Sequence, residues 1–256
     1  MTFEPDTPFA ATVHPAHNHE PRRGGARPSL LILHYTGMAS AEKAIDWLAR
    51  PDSGVSCHYV IDECGHITQL VPEERRAWHA GVSYWRGETD INSHSIGIEI
   101  HNPGHQHGYP DFPGAQMQAV VALSKDIVRR HHIASDNILA HSDVAPGRKI
   151  DPGEKFNWLM LAREGLSLWV RPSPVLADDP GLGFGAESPR IQRAQANLAS
   201  YGYEVEATGR LDAATENVLK AFQLHFRPRR VDGRLDRSTE VTLARLLDAR
   251  RKCAAA

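Results

Sequence analysis

The chain has 256 residues, enough to bury a core and to divide into one or two domains. Its hydrophobic share of 41% and charged share of 23% are those of an ordinary globular protein, and a formal net charge of −2 gives no overall attraction to nucleic acid or to anionic membranes. No apolar run approaches the roughly 18–20 residues of a membrane-spanning helix, and three cysteines, Cys57, Cys64 and Cys253, are too few for a disulfide framework.

The first residues, Met-Thr-Phe-Glu-Pro-Asp, lack the positive and apolar regions of a secretory signal. The expected compartment is therefore the cytoplasm, with the periplasm or envelope as the alternative if a leader was removed. Residues 1–28 mix Pro, His, Arg and Gly without periodicity and read as an extended or partly disordered arm. Residues 29–35 form an apolar run that reads as a buried strand and carries His34 near its end. Ser40 then caps a helix, Ala41–Ala49, with Ala44, Ile45 and Leu48 on one face. Residues 57–62 and 66–71 read as a hairpin around Glu63-Cys64-Gly65. Residues 72–93 are mostly loop and include Ala77-Trp78-His79-Ala80-Gly81.

Ser95–Ile100 alternates at period two, a strand signature. A Gly/Pro-rich loop leads to a helix over about 115–131, with Met117, Val120, Val121, Ile127 and Val128 on its apolar face. A short strand at 137–141 ends on His141, and a helix at 156–166 closes the region. Strands alternating with helices indicate the α/β (α+β) class, a mixed central sheet flanked by helices.

Residues 169–187 lose periodicity and read as a linker. Beyond it Gly209-Arg-Leu-Asp-Ala-Ala-Thr215 returns as Gly233-Arg-Leu-Asp-Arg-Ser-Thr239. In each copy the Gly makes a turn, the Leu packs, and the Asp caps the next helix. With a first helix near 191–199, residues 188–250 make a small three-helix domain after a main domain at 29–168. The basic cluster at 227–230, with Arg234 and Arg237, reads as a solvated surface, with no nucleic-acid partner expected.

His34 and His141 close apolar runs, and Asp151 follows in a turn-rich loop at 146–153. Two imidazoles and a carboxylate suit Zn²⁺ and leave one tetrahedral position open, as catalytic zinc requires. Their scattered spacing alone does not establish a site. Glu99 is a carboxylate between two isoleucines, which alternation equally allows as a solvent-facing strand position. Lys149 falls two residues before Asp151 and would otherwise be a plain surface lysine. Cys57, His58, Cys64 and His66 match no usual zinc knuckle.

The segments Leu33-His34-Tyr-Thr, Ser56-Cys-His-Tyr-Val-Ile-Asp62, Ala77-Trp-His-Ala-Gly81, Asn92-Ser-His-Ser-Ile-Gly-Ile-Glu-Ile100 and His141-Ser-Asp-Val-Ala-Pro-Gly-Arg-Lys-Ile-Asp-Pro-Gly153 resemble, in order, the type-2 zinc-dependent N-acetylmuramoyl-L-alanine amidases. Residues 188–250 resemble, over a shorter and looser match, the peptidoglycan-binding domain 1 module. The resemblance implies zinc ligands His34, His141 and Asp151, a carboxylate that moves protons at Glu99, and a cation for the oxyanion at Lys149. It implies hydrolysis of the amide between N-acetylmuramic acid and L-alanine, with peptidoglycan or muropeptide fragments as partners. Trp78, His79 and Asn92 are candidate substrate contacts; Trp78 and His79 alternatively only pack, and Asn92 alternatively holds its loop. A recognition protein that binds without cutting, and a zinc peptidase acting within the stem peptide, are the competing expectations.

Overall fold

The structure is a computed structural model and describes residues 3–254. Six short strands rich in Leu, Ile and Val pair into one mixed sheet: β1 (Ala10–Val13), β3 (Leu30–Tyr35), β4 (Tyr59–Ile61), β5 (Ile67–Gln69), β7 (Ser95–Ile100) and β8 (Ile138–Ala140). Their spatial order is β1-β5-β4-β7-β3-β8, antiparallel only between β4 and β5, the expected hairpin. A second small sheet pairs β2 (His19–Pro21) with β6 (Arg75–Ala77). The helices are α1 (Ala41–Ala49), α2 (Ile91–His94), α3 (Gly114–His131), α4 (His141–Val144), α5 (Trp158–Arg163), α6 (Pro189–Tyr201), α7 (Ala213–Phe226) and α8 (Arg237–Ala254). Among the described residues no helix is long and apolar enough to cross a membrane.

The period-two pattern sorts the central strands onto two faces. Leu31 and Leu33 of β3 join Ile96, Ile98 and Ile100 of β7, and this face packs on Met117, Val120, Leu123 and Ile127 of α3. Leu30, Ile32 and Leu139 face the other way and share a core with Ile191, Leu198, Leu219, Phe222 and Leu246 of the C-terminal helices. The three-helix unit therefore packs directly on the sheet. The preceding residues are strapped along it: Ser173 N–H donates to Thr242 Oγ1, and Leu182 bridges to Leu235.

The repeat folds as its residues indicate. Asp212 accepts from Thr215 N–H at 2.8 Å and Asp236 from Thr239 N–H at 2.7 Å, so both cap their helices. Two glutamines complete the symmetry. Gln195 holds the Gly209 turn, with Oε1 accepting from its N–H, and Gln223 holds the Gly233 turn in the same way.

Three expectations change. The first two residues of the expected arm lie outside the described residues, and residues 3–28 are not a loose arm. They contribute two strands, and Arg22 is buried, its guanidinium donating to the carbonyls of Glu73, Asn92, Ser93 and Ser95. These partners lie far away in sequence, which is why local pattern does not disclose the order. The basic cluster is not wholly a solvated surface: Arg227 is buried and pairs with Asp236 and Thr239. The helix expected at 156–166 is only α5, because Asn157 caps it from inside that span.

Glu73 ties β4 to α3. Its carboxylate accepts from Tyr59 Oη of β4, from Arg130 of α3, and from His131 at 2.7 Å. Burial pushes its pKa up, but these hydrogen bonds outweigh burial and hold it at about 2. Because the folded value lies below the unfolded one, the stabilisation is fully present above about pH 4.5 and is lost as pH falls through about 2. The shift corresponds to on the order of 3 kcal/mol. Glu73→Gln is expected to lower stability at neutral pH and to flatten its acid dependence between those limits, read as urea midpoints against pH. An unchanged acid slope would remove Glu73 as its source.

Candidate active site

Strand register brings the candidate residues to one edge. In the parallel pairing of β3 with β7, His34 lies opposite Glu99, so the two side chains leave the same face. On the other side of β3, Leu33 pairs with Ala140, and His141 follows as the next residue. Asp151 returns to this edge because its carbonyl accepts from Ser142 N–H at 3.0 Å.

His34 Nδ1 and His141 Nδ1 are 2.8 Å apart, and Asp151 Oδ2 lies 3.2 and 3.1 Å from them. All three side chains are buried, and theirs is the one cluster of histidines, cysteines and acids among the described residues close enough to share a metal. Burial, with His141 adjacent, lowers the His34 pKa to about 4. Burial raises that of Asp151, but the two imidazoles outweigh it and hold the group well below the usual carboxylate range. An uncharged imidazole and an ionised carboxylate are the forms that bind metal.

The hydrogen bonds behind these groups fix which nitrogens carry protons. His141 Nε2 lies 3.1 Å from the Ala80 carbonyl, which can only accept, so the proton is on Nε2 and the Nδ1 lone pair is free. Ser95 Oγ donates to the Ile91 carbonyl at 2.6 Å and so accepts from His79 Nε2 at 3.1 Å. Burial, with His34 and His58 nearby, keeps the His79 pKa far below its ordinary value. His79 Nδ1 must then accept from His34 Nε2 at 3.0 Å, which frees His34 Nδ1. Three acceptor atoms thus converge with no hydrogen of their own between them, an arrangement that a cation completes.

His79 is therefore a support for His34, although it also lines the cavity. Its ring occupies the place of a missing side chain: a Cβ on Gly97 would lie 2.6 Å from it. A glycine within Ile-Gly-Ile was the available signal for that close approach. Asn92 does not line this cavity. Its Oδ1 accepts from the backbone N–H groups of His79 and Ala80, so it holds the loop behind both histidines. Arg148, not singled out from sequence, donates to the Ala80 and Val82 carbonyls beside the same loop.

The cavity over these residues measures about 580 Å³, within the range of small-molecule sites. Glu99, Lys149 and Trp78 line it together with His141 and Asp151. Trp47, Leu48 and Val55 contribute apolar lining, and Tyr35, His105 and Gln106 contribute polar lining. Glu99 Oε2 and the Trp78 indole nitrogen are buried with no hydrogen-bond partner in the chain. Burial raises the Glu99 pKa well above its usual value, Asp151 raises it further, and Lys149 opposes both. Cys57 and His58 lie in the core and Cys64 is exposed, so the hairpin holds no second metal cluster among the described residues. Gly97→Ala is expected to displace the His79 ring and weaken metal affinity about 10–100-fold in chelator competition; affinity equal to the parent would show that His79 does not support His34.

Residues 24–154 match the family described as N-acetylmuramoyl-L-alanine amidase, and residues 187–243 match a peptidoglycan binding domain. The amidase AmiD of Escherichia coli is 37% identical over 238 residues, covering 87% of this chain and 83% of AmiD. AmpD of Enterobacter cloacae, a 1,6-anhydro-N-acetylmuramyl-L-alanine amidase, is 32% identical over 161 residues, covering 56% of this chain and 84% of AmpD. A solved complex of AmiD with anhydro-N-acetylmuramic acid-L-Ala-D-gamma-Glu-L-Lys superposes with a TM-score of 0.75 at 35% identity, covering 90% of this chain and 92% of that one. AmpDh3 of Pseudomonas aeruginosa, solved with an anhydromuramic pentapeptide, gives 0.69 at 32% identity and covers 87% and 92%. With matched domains in this order and relatives aligned along most of its length, the chain belongs to the N-acetylmuramoyl-L-alanine amidase family.

Proposed function

We propose that the chain is a zinc-dependent amidase that hydrolyses the amide between the lactyl group of N-acetylmuramic acid and the L-alanine of a muropeptide stem. The observation that carries this is the convergence of three acceptor atoms, His34 Nδ1, His141 Nδ1 and Asp151 Oδ2, beside an unpartnered carboxylate oxygen on Glu99. That donor set fits zinc, which when bound supplies a Lewis acid and lowers the pKa of water towards about 7.

The remaining chemistry belongs to the chain. Glu99 lines the cavity with Oε2 free, so it can take the proton of a water attacking the lactyl carbonyl carbon. Lys149 places an ammonium on the same cavity, where negative charge develops on the carbonyl oxygen. Glu99 returns the proton to the stem nitrogen as the C–N bond breaks. The products are a lactyl carboxylate and a peptide with a free L-alanine amine.

The substrates in the AmiD and AmpDh3 complexes support soluble anhydro-muropeptides as ligands, and the matched C-terminal domain supports access to polymeric wall. Retention of all three candidate metal ligands favours cleavage over recognition alone.

Incubation with a defined muropeptide is expected to release an intact peptide that begins with L-alanine, identified by mass; cleavage within the stem would make the chain a peptidase instead. Lys149→Ala should lower kcat about 10²–10³-fold, the loss of one oxyanion donor. It should also move the acid limb of kcat/KM to higher pH, because Lys149 opposes the raised Glu99 pKa and the base form is lost earlier without it. A slowed enzyme whose acid limb stays in place would separate Lys149 from Glu99.

A further inference from the structure

Asp143 lies two residues past His141, in α4, and is buried. Its Oδ2 accepts from Ala140 N–H at 2.8 Å, the amide just before His141. The same oxygen accepts from His225 Nδ1 at 2.7 Å, and Oδ1 accepts from Tyr203 Oη at 2.6 Å. His225 and Tyr203 belong to the C-terminal three-helix unit, and both are buried. The His225 ring is fixed in turn: it stacks on Trp158 of α5 with ring centres 3.7 Å apart and on Phe226 at 3.8 Å. One carboxylate thus joins the backbone entering a candidate ligand to two side chains of the module expected to hold the wall.

A second contact reaches the other side of the site. Gly147 sits in the loop that carries Lys149 and Asp151, with φ +76°, and a Cβ there would lie 2.4 Å from Asn217 Nδ2 of α7. Val144 of α4 and Ala80, whose carbonyl holds His141, also lie in the core shared with Leu219 and Phe222. The module therefore abuts the His141 helix, the loop behind it and the loop that bears the carboxylate ligand.

We propose that Asp143 is a positioning residue for His141, through which Tyr203 and His225 make the C-terminal module a structural part of the metal centre. This rests on the reading of His141 as a zinc ligand. The module then has a task on every substrate, including small soluble fragments that need no wall anchor. A ligand histidine is held to its working geometry by the groups behind it, and loss of such support commonly weakens metal binding 10–100-fold.

The test uses the full chain carrying Tyr203→Phe, His225→Leu or His225→Asn, with Leu246→Ala as a reference that loosens the module core without removing any hydrogen bond to Asp143. Zinc affinity is measured by chelator competition, the ligand field by the visible spectrum after Co²⁺ substitution, and kcat and KM on a soluble muropeptide. Tyr203→Phe and His225→Leu are expected to weaken zinc at least about tenfold, shift the cobalt bands and lower kcat with little change in KM. His225→Asn, which keeps a donor near Nδ1, should recover most of the affinity. Leu246→Ala should lower Tm while the folded protein keeps its affinity and spectrum. Parental affinity and spectrum in both Tyr203→Phe and His225→Leu would overturn the proposal, as would an equal loss in Leu246→Ala. These metal readouts do not depend on turnover, so a chain that bound zinc tightly yet cut no muropeptide would defeat the proposed activity and leave the coupling standing.

Discussion

The position of β3 between two parallel neighbours governs the site. A strand flanked by β7 and β8 in parallel register ends at the same edge as both, and that edge is where His34, Glu99 and His141 appear. Side chains alternate with period two, so a slip of one residue would turn His34 into the α3-facing core and bring Leu33 to the metal position. Register is in turn enforced by burial, because Leu31 and Leu33 must meet Ile96, Ile98 and Ile100 on the opposite face. Hydrophobic packing on one side of the sheet thereby aligns the polar chemistry on the other.

That polar face needs filling beneath the ligands, and two different solutions meet there. Above Gly97 the gap is taken by the His79 ring, which also fixes the proton on His34. Lower on the strands, Ile32 and Leu139 are covered by the C-terminal helices. The result is a pair of buried imidazoles, His34 and His79, whose burial favours the neutral form. In buried surroundings a single charge on Lys149 or Asp151 reaches Glu99 with far more effect than it would in water.

Much of this is legible in the chain itself. Period-two runs mark the central strands, serine and aspartate caps mark α1, α7 and α8, and the paired Gly-Arg-Leu-Asp segments mark the small helical unit. His34 and His141 stand out because they close apolar runs, and Asp151 because a turn-rich loop presents it; Glu99 and Lys149 take their roles from the family resemblance. Relations set by long-range contact are not legible. Nothing near Arg22 announces that it will donate to Ser93 and Ser95, and nothing near Asp143 points to His225, 82 residues on. His79 looks like a ligand contact in its loop; only the distances to His34 and Ser95 show it as a proton-fixing support.

The first residues of the chain illustrate how order in sequence and order in assembly diverge. β1 pairs with β5, β2 with β6, and Arg22 closes on carbonyls as far along as Ser95. On a ribosome this segment emerges before every partner that orders it. It can settle only after the hairpin and the start of β7 exist, and must stay solvated until then. Its polar, proline-rich composition, which conceals its final place, suits that waiting period: an apolar edge strand left unpaired so long would invite association with other chains.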